Sequence, residues 1–283
     1  MNATLPDRRL REMGQVSIGQ GDSALPAFVF RSPADMGDYA AELILDGVQA
    51  ARTAGHSYLL GCPTGRTPMA TYRAIGRKAA AHGVDLSRVV LAMMDDYVLP
   101  VGAGFAHCPD DAHYSCRRAA NEDIAGAINR GLPESHRIAP DHIWFPDPAR
   151  PRAYDERLKD AGGVDFFITA SGASDGHVAF NAPGSALDSG SRIVPLAETT
   201  RQDNLGTFPE FKGLHEVPAR GASVGLGTIR LLSRQVALLI HGAGKRAAVK
   251  RLDACHGFDP LWPASFIFEC PNSLILLDQE AVS

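Results

Sequence analysis

Two acidic segments carry the residue types that move protons in this chain. The apolar run Val89-Val90-Leu91-Ala92-Met93-Met94 stops at Asp95-Asp96. A carboxyl group at the end of a buried strand leaves a low-dielectric environment, where the charged form is disfavoured and the pKa rises. Such a group suits general-base work near neutral pH. The second segment, Asp175-Gly176-His177, follows the apolar run at 164–169 and a turn of small residues at 170–176. A glycine between an acid and an imidazole permits a tight turn that aims both side chains into one cleft. Imidazole is the side chain best placed to exchange protons at pH 7. The plain alternatives stay open at this point: a capping or loop aspartate, and a structural histidine.

A second group of residues suits an anion. Thr64, Gly65, Arg66 and Thr67 lie in a glycine-bearing turn between the apolar run at 57–60 and a helical pattern at 69–81. Backbone N–H groups, hydroxyls and a helix N-terminus together favour phosphate. No Walker loop is present, because no Gly-Lys-Ser or Gly-Lys-Thr follows. Lys245 comes directly after Gly242-Ala243-Gly244, at the start of another helical pattern, and Arg201 lies in the polar stretch 199–204. Arginine grips phosphate bidentately and lysine acts as a point charge. Taken singly, the turn is equally a strand-to-helix connection and each cation a solvated surface residue.

The elements that position these groups follow a repeating pattern. Apolar runs at 28–30, 57–60, 89–94, 164–169, 235–240 and 273–277 alternate with helical spacing at 36–51, 69–81 and 245–252. Near-continuous apolar strands, each followed by a turn and a helix, indicate an α/β fold: an open, mainly parallel sheet flanked by helices on both faces. Ligands of such sheets bind beyond the carboxyl ends of the strands, and every polar cluster above directly follows a strand. Residues 98–111 read as a long loop bordering the site. Residues 1–27 lack periodicity and read as an N-terminal extension, with 28–283 as a single domain.

Bulk properties narrow the function classes. The chain has 283 residues, 45% of them hydrophobic, so a sizeable core is within reach. A formal charge of −4 argues against a nucleic-acid partner. The N-terminus has no apolar segment of a signal peptide, and no run is long enough for a membrane span, so a cytoplasmic protein without a membrane partner is expected. The five scattered cysteines contain no Cys-x-x-Cys pair and read as reduced thiols. His107, His113 and His241 have no ligand-like spacing to His177, so no metal is expected.

Several segments together resemble the glucosamine-6-phosphate deaminase/isomerase family, within the superfamily shared with 6-phosphogluconolactonase. Pro63-Thr64-Gly65-Arg66-Thr67-Pro68 looks like its phosphate loop, and Met94-Asp95-Asp96-Tyr97 is similar to its Met-Asp-Glu-Tyr segment. Asp175-Gly176-His177-Val178-Ala179-Phe180-Asn181 is similar to its Asp-Gly-His-Ile-Ala-Phe-Asn segment. Thr200-Arg201, Gly242-Ala243-Gly244-Lys245, and Trp262 with Ser265 complete the resemblance in the same order. It implies a Rossmann-like fold, a homo-oligomer, and an aldose–ketose isomerisation coupled to loss of ammonia, with no cofactor. His177 would assist opening of the pyranose ring, Asp95 would move a proton between C2 and C1, and Asp175 would orient His177. Thr64, Gly65, Arg66, Thr67, Arg201 and Lys245 would hold the 6-phosphate.

The chain also departs from the family pattern. Ala182 stands where the family has a glutamate that pairs with the histidine. Arg66 replaces a glycine of the phosphate loop, and Val194 stands where allosteric members carry a phosphate-binding lysine. Two other functions fit the same residues: hydrolysis of a sugar-phosphate lactone, and non-catalytic sensing of a sugar phosphate.

Overall fold

Alternation along the apolar strands decides the architecture, because successive side chains point to opposite faces of a sheet. The structure, a computed structural model, describes residues 14–283. An eight-stranded sheet runs through it in the order β1-β2-β12-β11-β8-β3-β4-β7. Its strands are β1 (Gly14–Ile18), β2 (Leu25–Phe30), β3 (Tyr58–Cys62), β4 (Val89–Met93), β7 (Ile143–Trp144), β8 (Phe166–Ala170), β11 (Val236–Ile240) and β12 (Ser273–Asp278). All pairings are parallel except that of β1 with β2.

Leu60, Leu91, Met93, Phe166 and Leu239 enter one core beneath α1 (Pro33–Thr53) and α2 (Met69–His82). Their neighbours Leu59, Val90, Ala92, Phe167 and Leu238 enter a second core on the other face. That face is covered by α4 (Arg152–Asp160), α6 (Leu226–Leu232), α7 (Arg246–Asp253) and the 3-10 segment Pro263–Glu269. Helix α1 starts where Ser32 Oγ accepts from the Asp35 N–H and Pro33 fills the first turn, the expected N-terminal chemistry.

Two readings need correction. Residues 14–27 are not wholly a preceding extension: Gly14–Ile18 pairs with Leu25–Val29 and adds an edge strand, while residues 1–13 lie outside the described part. Residues 98–111 are not one loop. Strand β5 (Asp95–Val101) turns into β6 (Gly104–His107) as a hairpin, with Val98 opposite His107. This hairpin joins β9 (Arg192–Pro195) and β10 (Arg220–Ser223) in a second, antiparallel sheet ordered β6-β5-β10-β9. The polar stretch around Arg201, whose pattern predicts no secondary structure, is a helix: α5 (Glu198–Thr207) buries Thr200 and Asn204.

Candidate active site

The main sheet reverses direction of growth between β3 and β8, where the chain first proceeds to β4 and β7 and then returns to β8, β11 and β12. A crevice opens at such a reversal, outside the carboxyl ends of the strands. The turn after β3, the Asp95 segment after β4, the Asp175 turn after β8 and the lysine turn after β11 all border it.

The turn after β3 is fixed from below. Tyr72 of α2 donates its hydroxyl to the Pro63 carbonyl at 2.8 Å. Gly65 takes φ +88°, a left-handed conformation that glycine adopts without strain. No side chain caps the start of α2, and its first N–H, that of Met69, donates to the Arg66 carbonyl at 3.3 Å. Thr64 is half-buried, and Gly65 and Arg66 are exposed at the rim.

The Asp175 turn depends on two missing side chains. A Cβ on Gly172 would lie 2.3 Å from His177 Nδ1 and 2.5 Å from Asp175 Oδ1. Gly176 has φ +68°, and a Cβ there would lie 2.5 Å from the Trp262 ring. The loop therefore folds tightly enough for His177 Nδ1–H to donate to Asp175 Oδ1 at 2.7 Å. The His177 N–H donates to the same oxygen at 3.1 Å, and Thr199 Oγ of α5 donates to Asp175 Oδ2 at 2.6 Å. Burial works to raise the Asp175 pKa. The hydrogen bond and charge of His177 and the Thr199 hydroxyl overcome it and hold the carboxyl well below the usual range. An ionised Asp175 keeps the proton on Nδ1 and leaves Nε2 as the exchanging nitrogen.

Asp95 has the opposite surroundings. It is buried, and among the described residues the one side-chain hydrogen-bonding partner of its carboxyl is the Cys116 thiol, 3.8 Å from Oδ1. Desolvation and the neighbouring Asp96 charge push its pKa up to about 7, against a smaller lowering by Cys116. The sequence-based expectation of a raised pKa at this strand end is thus met, for the reason given. Cys116 in turn lies 3.6 Å from Thr64 Oγ, so the general-base candidate and the phosphate turn share one buried neighbour.

Of the two cations, only Lys245 reaches the crevice. Its Nζ donates to the Ser171 carbonyl at 2.6 Å, at the base of the Asp175 turn. Burial lowers its pKa, Asp203 and Asp175 counteract this, and Arg66 lowers it further. Arg201 Nη2 instead donates to the carbonyls of Leu214, at 2.5 Å, and Val217, at 3.0 Å. Its guanidinium clasps the 214–217 segment rather than joining Lys245. Thr67 contributes its carbonyl to His241 Nε2 at 3.3 Å.

The structure therefore joins Thr64 to Asp95 through Cys116, and Lys245 to the Asp175–His177 turn through the Ser171 carbonyl, with each group beyond the carboxyl end of a strand of the main sheet. Sequence reasoning missed Thr199, Cys116 and the Ser171 carbonyl. Thr199 lay beside Arg201 in an already suspicious polar stretch. Cys116 carried no signal, because it comes from a segment twenty residues away along the chain and reads as an ordinary apolar residue.

A scan against protein-family profiles finds no match. Glucosamine-6-phosphate deaminase of Bifidobacterium longum subsp. infantis is 31% identical over 264 residues, covering 90% of each chain. The enzyme of that name from Arthrobacter sp. is 34% identical over 248 residues, covering 85% of this chain and 86% of its own. A solved monomeric glucosamine-6-phosphate deaminase superposes with a TM-score of 0.75 at 25% identity, over 89% of this chain and 96% of its own. The 6-phosphogluconolactonase of Trypanosoma cruzi shares the fold, with a TM-score of 0.61 at 16% identity, over 89% and 94% of the two chains. With a crevice of this construction and relatives of this identity along nine-tenths of its length, the chain belongs to the glucosamine-6-phosphate deaminase family.

Proposed function

We propose that the protein converts glucosamine-6-phosphate, or an amino-sugar phosphate of the same build, into a ketose phosphate and ammonia. The observation that carries this reading is the pairing of Asp95, a buried carboxyl tuned to about 7, with an Asp175–His177 couple in the same crevice. A carboxyl that is half-ionised at neutral pH both takes and returns a proton, which a 1,2-shift requires.

In this reading the 6-phosphate lies on the turn Thr64–Thr67 and the α2 N-terminus, with Lys245 and Arg66 supplying charge. Fixing the phosphate holds C1 and C2 in place for proton transfer. His177 Nε2 takes the proton of the C1 hydroxyl and protonates the ring oxygen, opening the pyranose to the aldehyde. Asp95 removes the C2 proton, giving an enediol-type intermediate, and returns it to C1. The resulting iminium at C2 adds water and releases ammonia, leaving the ketose. Asp175 holds the Nδ1 side of the histidine throughout. The glutamate that Ala182 lacks is therefore not needed to orient His177, because Asp175 and Thr199 already do so.

Ammonia release from glucosamine-6-phosphate or galactosamine-6-phosphate tests the reading. Asp95→Asn is expected to lower kcat by about 10³-fold with KM little changed, the scale of a lost acid–base group. No ammonia from any hexosamine phosphate would sink the proposal. Hydrolysis of 6-phosphogluconolactone that survives Asp95→Asn would replace it with the lactonase reading.

A further inference from the structure

The proposed phosphate site has two halves, each tied to a different carboxyl. The turn after β3 reaches Asp95 through Cys116, at the start of α3 (Cys116–Ala119), and Lys245 reaches the Asp175 turn through Ser171. Strand β8 lies between β3 and β11 in the sheet, so the two turns start about 10 Å apart, two strand spacings. One side chain spans that gap. His241 follows the last residue of β11, and its Nε2 stands 3.3 Å from the Thr67 carbonyl, across the end of β8. A carbonyl oxygen only accepts, so this hydrogen bond puts the imidazole hydrogen on Nε2. Among the described residues it is the hydrogen bond that joins the turn after β11 to the turn after β3.

The carbonyl that His241 caps is unfavourable beside an anion. It belongs to the Thr67–Pro68 peptide, and proline has no N–H, so this peptide offers an oxygen and no donor. Neighbouring carbonyls are engaged from α2 itself. Pro63 accepts from the Tyr72 hydroxyl at 2.8 Å, Arg66 from the Met69 N–H at 3.3 Å and Pro68 from the Tyr72 N–H at 3.1 Å. His241 does for Thr67 what the helix does for these three. The far end of the bridge is fixed as well. The Gly242 N–H donates to Asp278 Oδ1 at 2.9 Å, at the end of β12, and the Lys245 N–H closes the turn on the Gly242 carbonyl at 2.9 Å.

We infer that His241 is a positioning residue of the phosphate site: its Nε2–H holds the Thr67 carbonyl, and so sets the width across which one phosphate meets both the β3 turn and Lys245. A gap held at the right width admits the anion without rearrangement, and that gain is in binding rather than in the chemical step. The inference rests on the crevice taking a sugar phosphate, as proposed above, and is independent of the proton transfers.

Titration with inorganic phosphate, followed by phosphorus-31 NMR, reads the site without turnover. His241→Phe keeps a ring and removes the donor. Phosphate affinity should fall by about ten-fold, the scale of one lost hydrogen bond. KM for the amino-sugar phosphate should rise by a similar factor, with kcat within about two-fold of wild type. His241→Gln puts an amide N–H near the place of Nε2, and should keep phosphate affinity within about three-fold. A merely structural histidine would lower the urea midpoint in His241→Phe and leave phosphate affinity and KM in place, which overturns the inference. A loss in His241→Gln equal to that in His241→Phe overturns it too, as does a wild-type protein that binds no phosphate. If His241→Phe does not fold, His241→Asn, whose amide is too short for the Thr67 carbonyl, takes its place under the same criteria. Phosphate binding that responds as described in a protein releasing no ammonia would sink the functional reading and leave this one standing. Ammonia release with an unmoved phosphate affinity would do the reverse.

Discussion

Asp95 and Asp175 occupy the same crevice, and both are buried, at 6% and 9% exposure, yet their proton affinities diverge. Asp95 faces another carboxylate and one weak thiol donor. Asp175 accepts from an imidazole, a backbone N–H and a threonine hydroxyl. Burial works in the same direction on both, so burial does not choose the charge state. The count and strength of donors does, and one site thereby holds a carboxyl ready to take a proton beside one that refuses it.

The largest expected effect from breaking this contrast is on turnover. Asp175→Asn removes the charge that fixes the Nδ1 tautomer, so an amide can hold the ring in either orientation. Ammonia release should fall by about 10²-fold or more, on the scale of a displaced acid–base group. Retention of full activity would mean that Asp175 only shapes the turn.

The next effect is on stability, and the two carboxyls act in opposite pH windows. Asp95 binds its proton more tightly folded than unfolded, so its contribution is present below about pH 4 and declines as pH rises to about 7. Asp175 binds its proton less tightly folded, so its contribution is present above about pH 4 and is lost as the pH falls below that. Urea midpoints measured from pH 3 to 8 should lose their decline between about pH 4 and 7 in Asp95→Asn. They should lose part of their acid-side rise in Asp175→Asn. A shared window for both variants would show that the two environments do not differ as described.

The smallest effect sharpens the contrast. Thr199→Val removes one of the donors on Asp175 and keeps its shape, so the Asp175 pKa should rise toward the ordinary range. Activity should fall by about three- to ten-fold, the scale of one lost hydrogen bond to a charged group. A loss as large as that of Asp175→Asn would assign Thr199 a role beyond this contact.

The sequence made parts of this contrast readable. Apolar runs that stop at Asp95 and precede the Asp175 turn located both carboxyls, because parallel strands buried on both faces leave polar residues only at their ends. The elevated proton affinity of Asp95 followed from the same pattern. What set Asp175 apart was not readable, since Thr199 arrives from a helix whose two buried polar residues, Thr200 and Asn204, give no apolar stripe. The second sheet was also invisible. Its strands are short, and β5 begins with two aspartates and contains Pro100, all poor strand residues. The surroundings of Arg201 were not readable for a related reason. A guanidinium on a polar stretch reads as free, while in the fold the carbonyls at 214 and 217 claim it.

Helix α5 gathers these contacts into one element. Within six consecutive residues, Thr199 grips Asp175, Arg201 clasps the segment after the helix, and Asn204 donates to the Tyr97 hydroxyl at 2.9 Å. As a rigid rod it acts like a camshaft with three lobes. No tilt can free Arg201 from the carbonyls at 214 and 217 without also changing the load on Asp175 and on the strand that begins with Asp95. The settings of the 214–217 segment and of both carboxyls are therefore mechanically geared.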